Sequence, residues 1–228
     1  MELAGKAHAF VTDIAAPELD DRDRHHLERA LRLKPGDEIT VADGQGRWRR
    51  CTFGTALEPL SEVERDLDPS PPITVAFALV KVGRPELVVQ KLTEIGVDRI
   101  IPFVAARSVV RWDDEKVARQ HPRFVTIARE AAMQSRRSRL PVVDEVTTFD
   151  AVASIERVVL ADKGGATPSL RHPAVLIGPE GGWSDAERRI GLETIDLGPT
   201  ILRAETAAIV AGAVLCGLRS ALFRPAHE

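Results

Sequence analysis

Two glycine-rich segments near the carboxyl end contain the residues best suited to bind a ligand. In the first, the apolar run Ala174–Ile177 leads directly into Gly178–Gly182, and Ser184 and Glu187 then form a capping-box pattern that opens a helix. Glycines let a ligand approach the backbone closely, and open α/β sheets bind ligands beyond the carboxyl ends of their strands. The segment therefore predicts a ligand-binding loop, although an ordinary strand-to-helix turn gives the same pattern.

The second segment, Leu197–Ala208, repeats the order of strand end, loop and helix start. Arg203 and Glu205 lie in its loop, directly before a helix that is almost wholly apolar. Charged side chains beside a buried helix need partners or a ligand. We therefore interpret Arg203 and Glu205 as candidate site residues, and a structural ion pair between the two is the alternative interpretation.

Several common catalytic signatures are absent from the sequence. No GxGxxG motif follows a predicted strand, and the Walker A, HExxH and GxSxG motifs do not occur. The two cysteines, Cys51 and Cys216, lie far apart and form no CxxC motif, so neither a disulfide framework nor a metal site is predicted. These absences exclude the usual dinucleotide-binding, P-loop, zinc-protease and serine-hydrolase classes.

The composition describes a well-solvated globular protein, with 44% hydrophobic residues, 29% charged residues and a formal net charge of −3. This charge argues against indiscriminate nucleic-acid binding through a basic tail, but not against a local basic patch. The longest apolar run, Ala207–Leu218, is too short to span a bilayer, and the first residues do not have the pattern of a signal peptide. We expect a soluble cytoplasmic protein without a membrane partner.

The pattern of elements changes near residue 70, which predicts two domains, 1–70 and 71–228. The proline-rich segment Asp66–Pro72 is the expected linker, because it breaks both helix and strand. In the first part we expect strands at residues 8–12, Asp37–Ala42 and Trp48–Thr55 and a helix at Asp23–Leu33. In the second part we expect strands at Ile73–Val80, Arg99–Val104, Val142–Val146, Arg157–Ala161 and Ala174–Ile177, and helices at Pro85–Ile95, Asp113–Arg137 with a break or kink near Pro122, Ser184–Glu193 and Glu205–Phe223. This alternation predicts an α/β domain with a largely parallel sheet.

With these elements in place, the two glycine-rich segments resemble the signature of the SPOUT methyltransferases. More narrowly, they resemble the RsmE family, which methylates uracil N3 in small-subunit ribosomal RNA. The resemblance extends over nearly the whole chain, through His25–Leu27, Gly36–Asp37, Lys81–Val97, Arg107–Ser108 and Glu130–Arg137. The chain departs from the family where Val82 replaces a usual glycine.

The resemblance implies the fold, the methyl donor and the partners. The implied fold is α/β: a SPOUT-type parallel sheet with a C-terminal trefoil knot, preceded by a small β-rich PUA-like RNA-binding domain. The implied donor is S-adenosylmethionine, and the implied substrate is 16S ribosomal RNA of the small subunit, with uracil 1498 as the family's usual target. The resemblance also implies a homodimer.

The candidate donor-binding and catalytic residues follow from the resemblance as well. The expected donor site comprises Leu176, Ile177, Gly178, Glu180, Gly181, Gly182, Leu197, Gly198, Ile201, Leu202, Arg203, Thr206 and Ala207. Because uracil N3 is a weak nucleophile until its proton leaves, the site needs a base or a cation that stabilises the anion. Arg203 is the candidate cation; Glu205 is the candidate base or the partner of Arg203, and Glu180 is the weaker candidate. Structural capping or ion pairing is the alternative role for both carboxylates.

RNA contact is expected from three basic clusters, and salt should weaken this contact. The candidate residues are Arg22, Arg24, His25, Arg29, Arg32, Arg47, Trp48, Arg49, Arg136 and Arg137. Each arginine run is equally consistent with a solvated face, and Trp48 with a half-buried strand aromatic rather than a base-stacking residue.

Three other functions remain open from the sequence. The first is a knotted methyltransferase for the ribose 2′-oxygen or another base. The second is a non-catalytic RNA-binding or ribosome-assembly factor that retains the fold, which the intact glycine-rich segments disfavour. The third, a generic nucleotide-binding α/β enzyme, is disfavoured by the missing fingerprints.

Overall fold

The computed structural model describes residues 5–80, 84–108, 110 and 112–223 of the chain. Lys81 and Val82, which belong to one of the resembling segments, lie outside the described residues. The chain forms two compact units. The first contains the described residues up to Asp68 together with Arg129–Leu140, and the second contains Pro69–Ala128 and the residues from Pro141 onward. The predicted division into 1–70 and 71–228 stays a prediction, and the return of Arg129–Leu140 to the first unit was not anticipated.

The first unit is built on a five-stranded sheet with one helix. Its elements are β1 (Ala7–Phe10), α1 (Asp21–Arg29), β2 (Glu38–Ala42), β3 (Arg47–Thr52), β4 (Glu58–Pro59) and β5 (Glu64–Arg65). β1 pairs in parallel with β2, and β2 and β3 form an antiparallel hairpin. The turn of this hairpin contains Gly44 and Gly46, both with positive φ, as a tight hairpin turn requires.

The core of the first unit is apolar, with one buried histidine. Leu27, Ile39 and Phe53 are among its fully buried side chains. The His8 ring lies between the Thr40 hydroxyl (2.8 Å from Nδ1) and the carbonyl oxygen of Arg137 (2.9 Å from Nε2). Burial lowers the pKa of His8 from 6.5 to about 4, since desolvation disfavours the charged ring more strongly than the Arg137 carbonyl stabilises it.

The second unit contains a seven-stranded sheet in which every paired strand is parallel. Its elements are β6 (Thr74–Ala78), α2 (Arg84–Ile95), β7 (Arg99–Val104), α3 (Asp114–Gln134, which ends in the first unit), β8 (Val142–Val143), β9 (Thr147–Thr148), α4 (Phe149–Ala153), β10 (Val158–Ala166), β11 (Ala174–Ile177), α5 (Asp185–Arg188), β12 (Thr194–Ile195) and α6 (Ala204–Arg219). The order β12-β10-β11-β6-β7-β8, with β9 on β7, confirms the predicted α/β class. Because the strands run in one direction, their carboxyl ends meet at one edge.

Three helices of the second unit differ from the sequence-based expectation. α3 continues through Pro122 without a break, because buried residues that follow, Phe124 and Ala128, hold it against the core. α5 has a single turn instead of the expected ten residues, since Gly191 (φ +78°) ends the segment in the left-handed region. α6 ends at Arg219, four residues before the predicted end.

Helices α2 and α6 pack against one face of this sheet. Val75, Phe77 and Val175 of the strands and Ala208 and Leu215 of α6 belong to one buried cluster. A Cβ atom on Gly212 of α6 would lie only 2.8 Å from Cδ2 of Leu92, so the helices approach closely because this residue has no side chain. Among the described residues, no helix has the length and apolar character needed to cross a membrane.

Candidate functional site

A cavity of about 190 Å³ lies in the second unit, beside the carboxyl ends of β10, β11 and β12. Its lining residues are Ala161, Asp162, Lys163, Ile177, Gly178, Pro179, Glu180, Gly182, Trp183, Asp196, Leu197, Thr200, Ile201, Leu202, Ala204 and Ala207. The wall therefore combines an apolar part with three carboxylates and one ammonium group. This mixture suits a ligand that has both an aromatic ring and charged groups.

The loop after β11 is shaped by Trp183. This side chain is only 2% exposed, its Nε1 donates to the carbonyl oxygen of Ala161 (3.0 Å), and its ring stacks parallel to that of Phe103. A Cβ atom on Gly178 would lie 3.0 Å from Cε2 of Trp183. Gly178 is therefore favoured by packing, and Gly182, with φ of +67°, is favoured by the backbone conformation.

A buried carboxylate fastens this loop to the loop after β7. Glu187 accepts hydrogen bonds from the backbone N–H groups of Ser184 (2.7 Å) and Ala106 (2.9 Å), and Ser184 completes the predicted capping box. Arg107 adds a hydrogen bond from its guanidinium to the carbonyl oxygen of Gly181 (3.3 Å). The glycine-rich loop is therefore held from its outer side by residues of the neighbouring strand connection.

Eight of the residues predicted for the donor site line the cavity. They are Ile177, Gly178, Glu180, Gly182, Leu197, Ile201, Leu202 and Ala207. Five others do not: Leu176 is fully buried in the core, Gly181 packs against Arg107, and Gly198, Arg203 and Thr206 belong to the adjoining loop and helix start without lining the cavity. The structure thus brings the two predicted loops to one cavity.

The predicted catalytic residues Arg203 and Glu205 do not pair with each other. Arg203 is the exposed N-cap residue of α6, and its side chain has no hydrogen-bond or ion-pair partner among the described residues. Glu205 is 12% exposed in its side chain and pairs with Arg84 at 3.1 Å, and Arg84 also lies 3.6 Å from Glu180. The ion pair between Arg203 and Glu205, considered above as an alternative, is not formed.

Five residues that sequence reasoning missed also line the cavity wall with polar or aromatic groups: Asp162, Lys163, Trp183, Asp196 and Thr200. Backbone N–H groups, first that of Gly164 and then that of Gly198, hold the pKa of Asp196 below its usual range. Asp162 pairs with Arg188. The sequence signals available for Lys163 and Asp196 are weak: the lysine directly precedes Gly164 within β10, and the aspartate lies two residues before Gly198.

In the first unit, the predicted RNA-contact residues fall into three groups. Arg22, His25, Arg29, Arg32 and Arg47 are exposed, while Arg24, Arg49, Arg136 and Arg137 are partly buried. Arg49 is engaged by the carbonyl oxygen of Ser61 (2.6 Å from Nη2). Trp48 is 4% exposed and donates from Nε1 to Asp66 (3.1 Å), so the faces of its ring are covered by the core and not presented to a base.

Comparisons with known proteins agree with the fold. A family model described as an RNA methyltransferase domain matches residues 68–216, and one described as an RNA methyltransferase PUA domain matches residues 19–54. Curated relatives named ribosomal RNA small subunit methyltransferase E include those of Mycobacterium bovis (34% identical, covering 86% of this chain and 84% of the relative) and Bacillus subtilis (31%, covering 82% and 84%).

A solved structure extends this likeness to three dimensions. The ribosomal RNA small subunit methyltransferase E of Neisseria gonorrhoeae, bound to S-adenosylmethionine, is 27% identical with a TM-score of 0.77, covering 93% of this chain and 97% of that chain. The PUA-like module and the SPOUT-type parallel sheet expected from the sequence are thereby confirmed. The chain belongs to the ribosomal RNA small subunit methyltransferase E family, as its two glycine-rich loops indicated.

Proposed function

We propose that this protein transfers a methyl group from S-adenosylmethionine to N3 of a uracil in 16S ribosomal RNA. The observation that carries the proposal is the cavity at the carboxyl edge of the parallel sheet, lined by both glycine-rich loops. The relatives are named for methylation of small-subunit ribosomal RNA, and the Neisseria gonorrhoeae structure contains S-adenosylmethionine.

The cavity wall fits the chemistry of this donor. Ile177, Leu197 and Leu202 offer apolar surface to an adenine ring, and Gly178, which also lines the cavity, offers backbone groups for hydrogen bonds with its edge. The carboxylates of the wall complement the positive charge of a sulfonium and an ammonium group. When bound, S-adenosylmethionine supplies an electrophilic methyl group, and the residues of the chain align the acceptor and manage its proton.

Arg203 has the electrostatic role in this proposal. Its guanidinium is exposed, has no side-chain partner among the described residues, and stands at the start of α6 next to cavity residues Leu202 and Ala204. As the N3 proton leaves, negative charge spreads to the uracil oxygens. A guanidinium facing an imide oxygen stabilises that charge most where it develops, and this lowers the barrier.

Glu205 accepts the N3 proton in this proposal. Its Oε1 is held by Arg84, and its Oε2 has no hydrogen-bond partner among the described residues, so this oxygen can accept a proton. Oε2 is buried and Glu205 does not line the cavity, so a rotation of the side chain must bring this oxygen to the uracil. Glu180 lines the cavity directly and is the second candidate. The carboxylate takes the N3 proton, and the N3–methyl bond forms as the sulfur–methyl bond breaks.

The exposed basic residues of the first unit, among them Arg29 and Arg32, dock the ribosomal RNA. The protein acts as a homodimer in the cytoplasm, where small ribosomal subunits are assembled. The segments around the cavity form the trefoil knot that the sequence resemblance implies.

Mapping of the methylated atom tests the proposal. Small subunits or 16S RNA lacking the modification are incubated with the protein and S-adenosylmethionine, and the nucleosides are identified by mass spectrometry. We expect 3-methyluridine and a reverse-transcription stop at one site, because a methyl group on N3 blocks the pairing edge of the base. A 2′-O-methylated nucleoside, or RNA binding without any methylation, would instead favour one of the alternative functions.

A pair of carboxamide variants identifies the base. If Glu205 accepts the proton, Glu205→Gln slows methyl transfer by about 10²-fold or more, and Glu180→Gln has the smaller effect. The two rates are compared at saturating donor, and the pH dependence is recorded for each variant. A large loss in Glu180→Gln alone would transfer the role of the base to Glu180.

A further inference from the structure

Strand β10 carries an irregularity next to the cavity. Its pairing with β12 shifts register between Ala161 and Ala166, and Gly164 within this stretch has φ of +77°. A Cβ atom on Gly165 would lie 2.6 Å from the backbone nitrogen of Ile195, so the close approach of the two strands requires glycine. Register shifts of this kind redirect side chains, and here Lys163 reaches the cavity wall.

Asp196 joins this irregular stretch to the second glycine-rich loop. Its Oδ2 accepts the N–H of Gly164 (2.9 Å), and its Oδ1 accepts the N–H of Gly198 (3.0 Å). Lys163 lies 3.4 Å from the same Oδ1, and its ammonium group donates to the carbonyl oxygen of Gly198. The N–H and the carbonyl oxygen of Gly198 are therefore both held by side chains.

Gly198 has no side chain to restrict the backbone of this loop. With φ of +128° and no atom within 4 Å of an added Cβ, it adopts a conformation that glycine samples among many others. Ordering a residue costs conformational entropy, and a ligand that must order its own site loses affinity by that cost. Leu197, Ile201 and Leu202, which line the cavity, lie on either side of Gly198.

We propose that Lys163 and Asp196 are positioning residues that hold the Leu197–Leu202 wall of the cavity in its donor-binding form. They act through the backbone of Gly198 and take no part in the methyl transfer. This inference rests on the proposed function, because it assigns the cavity to S-adenosylmethionine.

The test compares Asp196→Asn and Lys163→Met with the wild-type protein. Asparagine keeps the size of the side chain but offers one acceptor oxygen instead of two, and methionine keeps the length of the lysine chain without its ammonium group. Loss of a hydrogen bond to a charged group corresponds to about a tenfold or larger change in affinity. We therefore expect the Kd for S-adenosylmethionine, measured by calorimetry, to rise about tenfold in each variant, with kcat reduced by a smaller factor than KM rises.

A second measurement requires no catalysis. In the protein without donor, the Gly164 or the Gly198 amide should exchange its hydrogen faster in Asp196→Asn than in the wild type, because the single asparagine oxygen can protect only one of the two. Lys163→Arg retains a cation and should restore most of the affinity lost in Lys163→Met. Glu193→Gln, an exposed carboxylate just before β12, is the matched control and should leave both measurements unchanged.

Two results would overturn the inference: an unchanged Kd in both variants, or a loss of kcat with KM unchanged. If Asp196→Asn does not fold, Lys163→Met decides alone. The lysine side chain is 47% exposed and methionine keeps its length, so we expect this variant to fold. Failure of the proposed function has a different signature, because the wild-type protein itself would then bind no S-adenosylmethionine.

Discussion

The two compact units hold their candidate functional residues in different ways. In the second unit, the cavity is shaped by backbone turns in which Gly178, Gly182 and Gly198 meet a close contact or a positive φ that other residues tolerate poorly. In the first unit, the candidates are arginine side chains on the surface, such as Arg22 and Arg29. A site built from backbone leaves a mark in the sequence, whereas a docking surface built from side chains resembles any charged solvated face.

The strongest test of this comparison removes a candidate of the second unit that acts through its side chain and not through the backbone. Arg203→Ala should lower kcat for methyl transfer by about 10²–10³-fold, since a positioned cation that stabilises developing charge contributes an effect of this size. The Kd for S-adenosylmethionine should stay within about threefold, because the arginine does not line the cavity. Single-turnover rates and calorimetry provide the two values.

Arg189→Ala is the matched control for Arg203→Ala, because Arg189 is another exposed arginine at the end of a helix in the same unit. Its removal should leave the rate unchanged. An unaltered rate in Arg203→Ala would remove this residue from the mechanism.

Acid should weaken the first unit through His8. The native ring has a pKa of about 4 and the unfolded ring one of 6.5, so between these pH values only the unfolded chain takes up the proton. The contribution of the neutral His8 ring to the free energy of unfolding is complete above pH 6.5. It is lost as the pH falls towards 4, by about 3 kcal/mol in total. Hydrogen exchange of the β1 and β2 amides should show this loss, and His8→Gln should flatten the pH dependence. An equally steep pH dependence of exchange in His8→Gln would show that His8 is not the group responsible.

Substitution of two glycines that both have positive φ distinguishes an effect on protein stability from an effect on donor binding. Gly198 (φ +128°) and Gly36 (φ +92°) both have positive φ and free space around an added Cβ, but they lie in different units. Gly198→Ala and Gly36→Ala should each reduce the free energy of unfolding by about 1–3 kcal/mol. Only Gly198→Ala should weaken binding of S-adenosylmethionine, by about tenfold or more. Equal binding losses in the two variants would show that the effect is not local to the cavity.

The smallest effect concerns Arg32, which has φ of +55° after α1, where glycine is preferred. Arg32→Gly should raise the free energy of unfolding by up to about 1 kcal/mol while weakening RNA binding and reducing the slope of log affinity against log salt by about 1. Ala221→Gly (φ +57°), in the second unit, should stabilise without changing RNA binding. If Arg32→Gly binds RNA normally, this arginine does not contact the RNA.

The parallel sheet and both cavity loops could be predicted because apolar runs such as Ala174–Ile177 and glycine-rich turns are local signals. The early end of α5 could not, because the capping box at Ser184 specifies where a helix begins and not where it ends. Continuation of α3 through Pro122 depends on tertiary packing of Phe124, which no local pattern contains.

The same limit explains the residues of the site that were missed or misplaced. Lys163 resembles a surface charge in sequence, and the irregular pairing of β10 with β12 places its ammonium group beside Asp196 and Gly198. Asp196 meets Gly198 in a local turn, which a spacing of two residues does not by itself reveal. Trp48, flanked by arginines, suggested a stacking surface, but its ring packs into the core of the first unit. Burial of one face of a strand is decided by its partners, which a run of basic residues does not reveal.

The most direct test of the central claim is a crystal structure of the protein with S-adenosylmethionine. We predict density for the donor in the cavity of the second unit, in contact with Gly178 and Leu197 and with the Gly198 turn unmoved. Density at another place, with this cavity empty at saturating donor, would contradict the account.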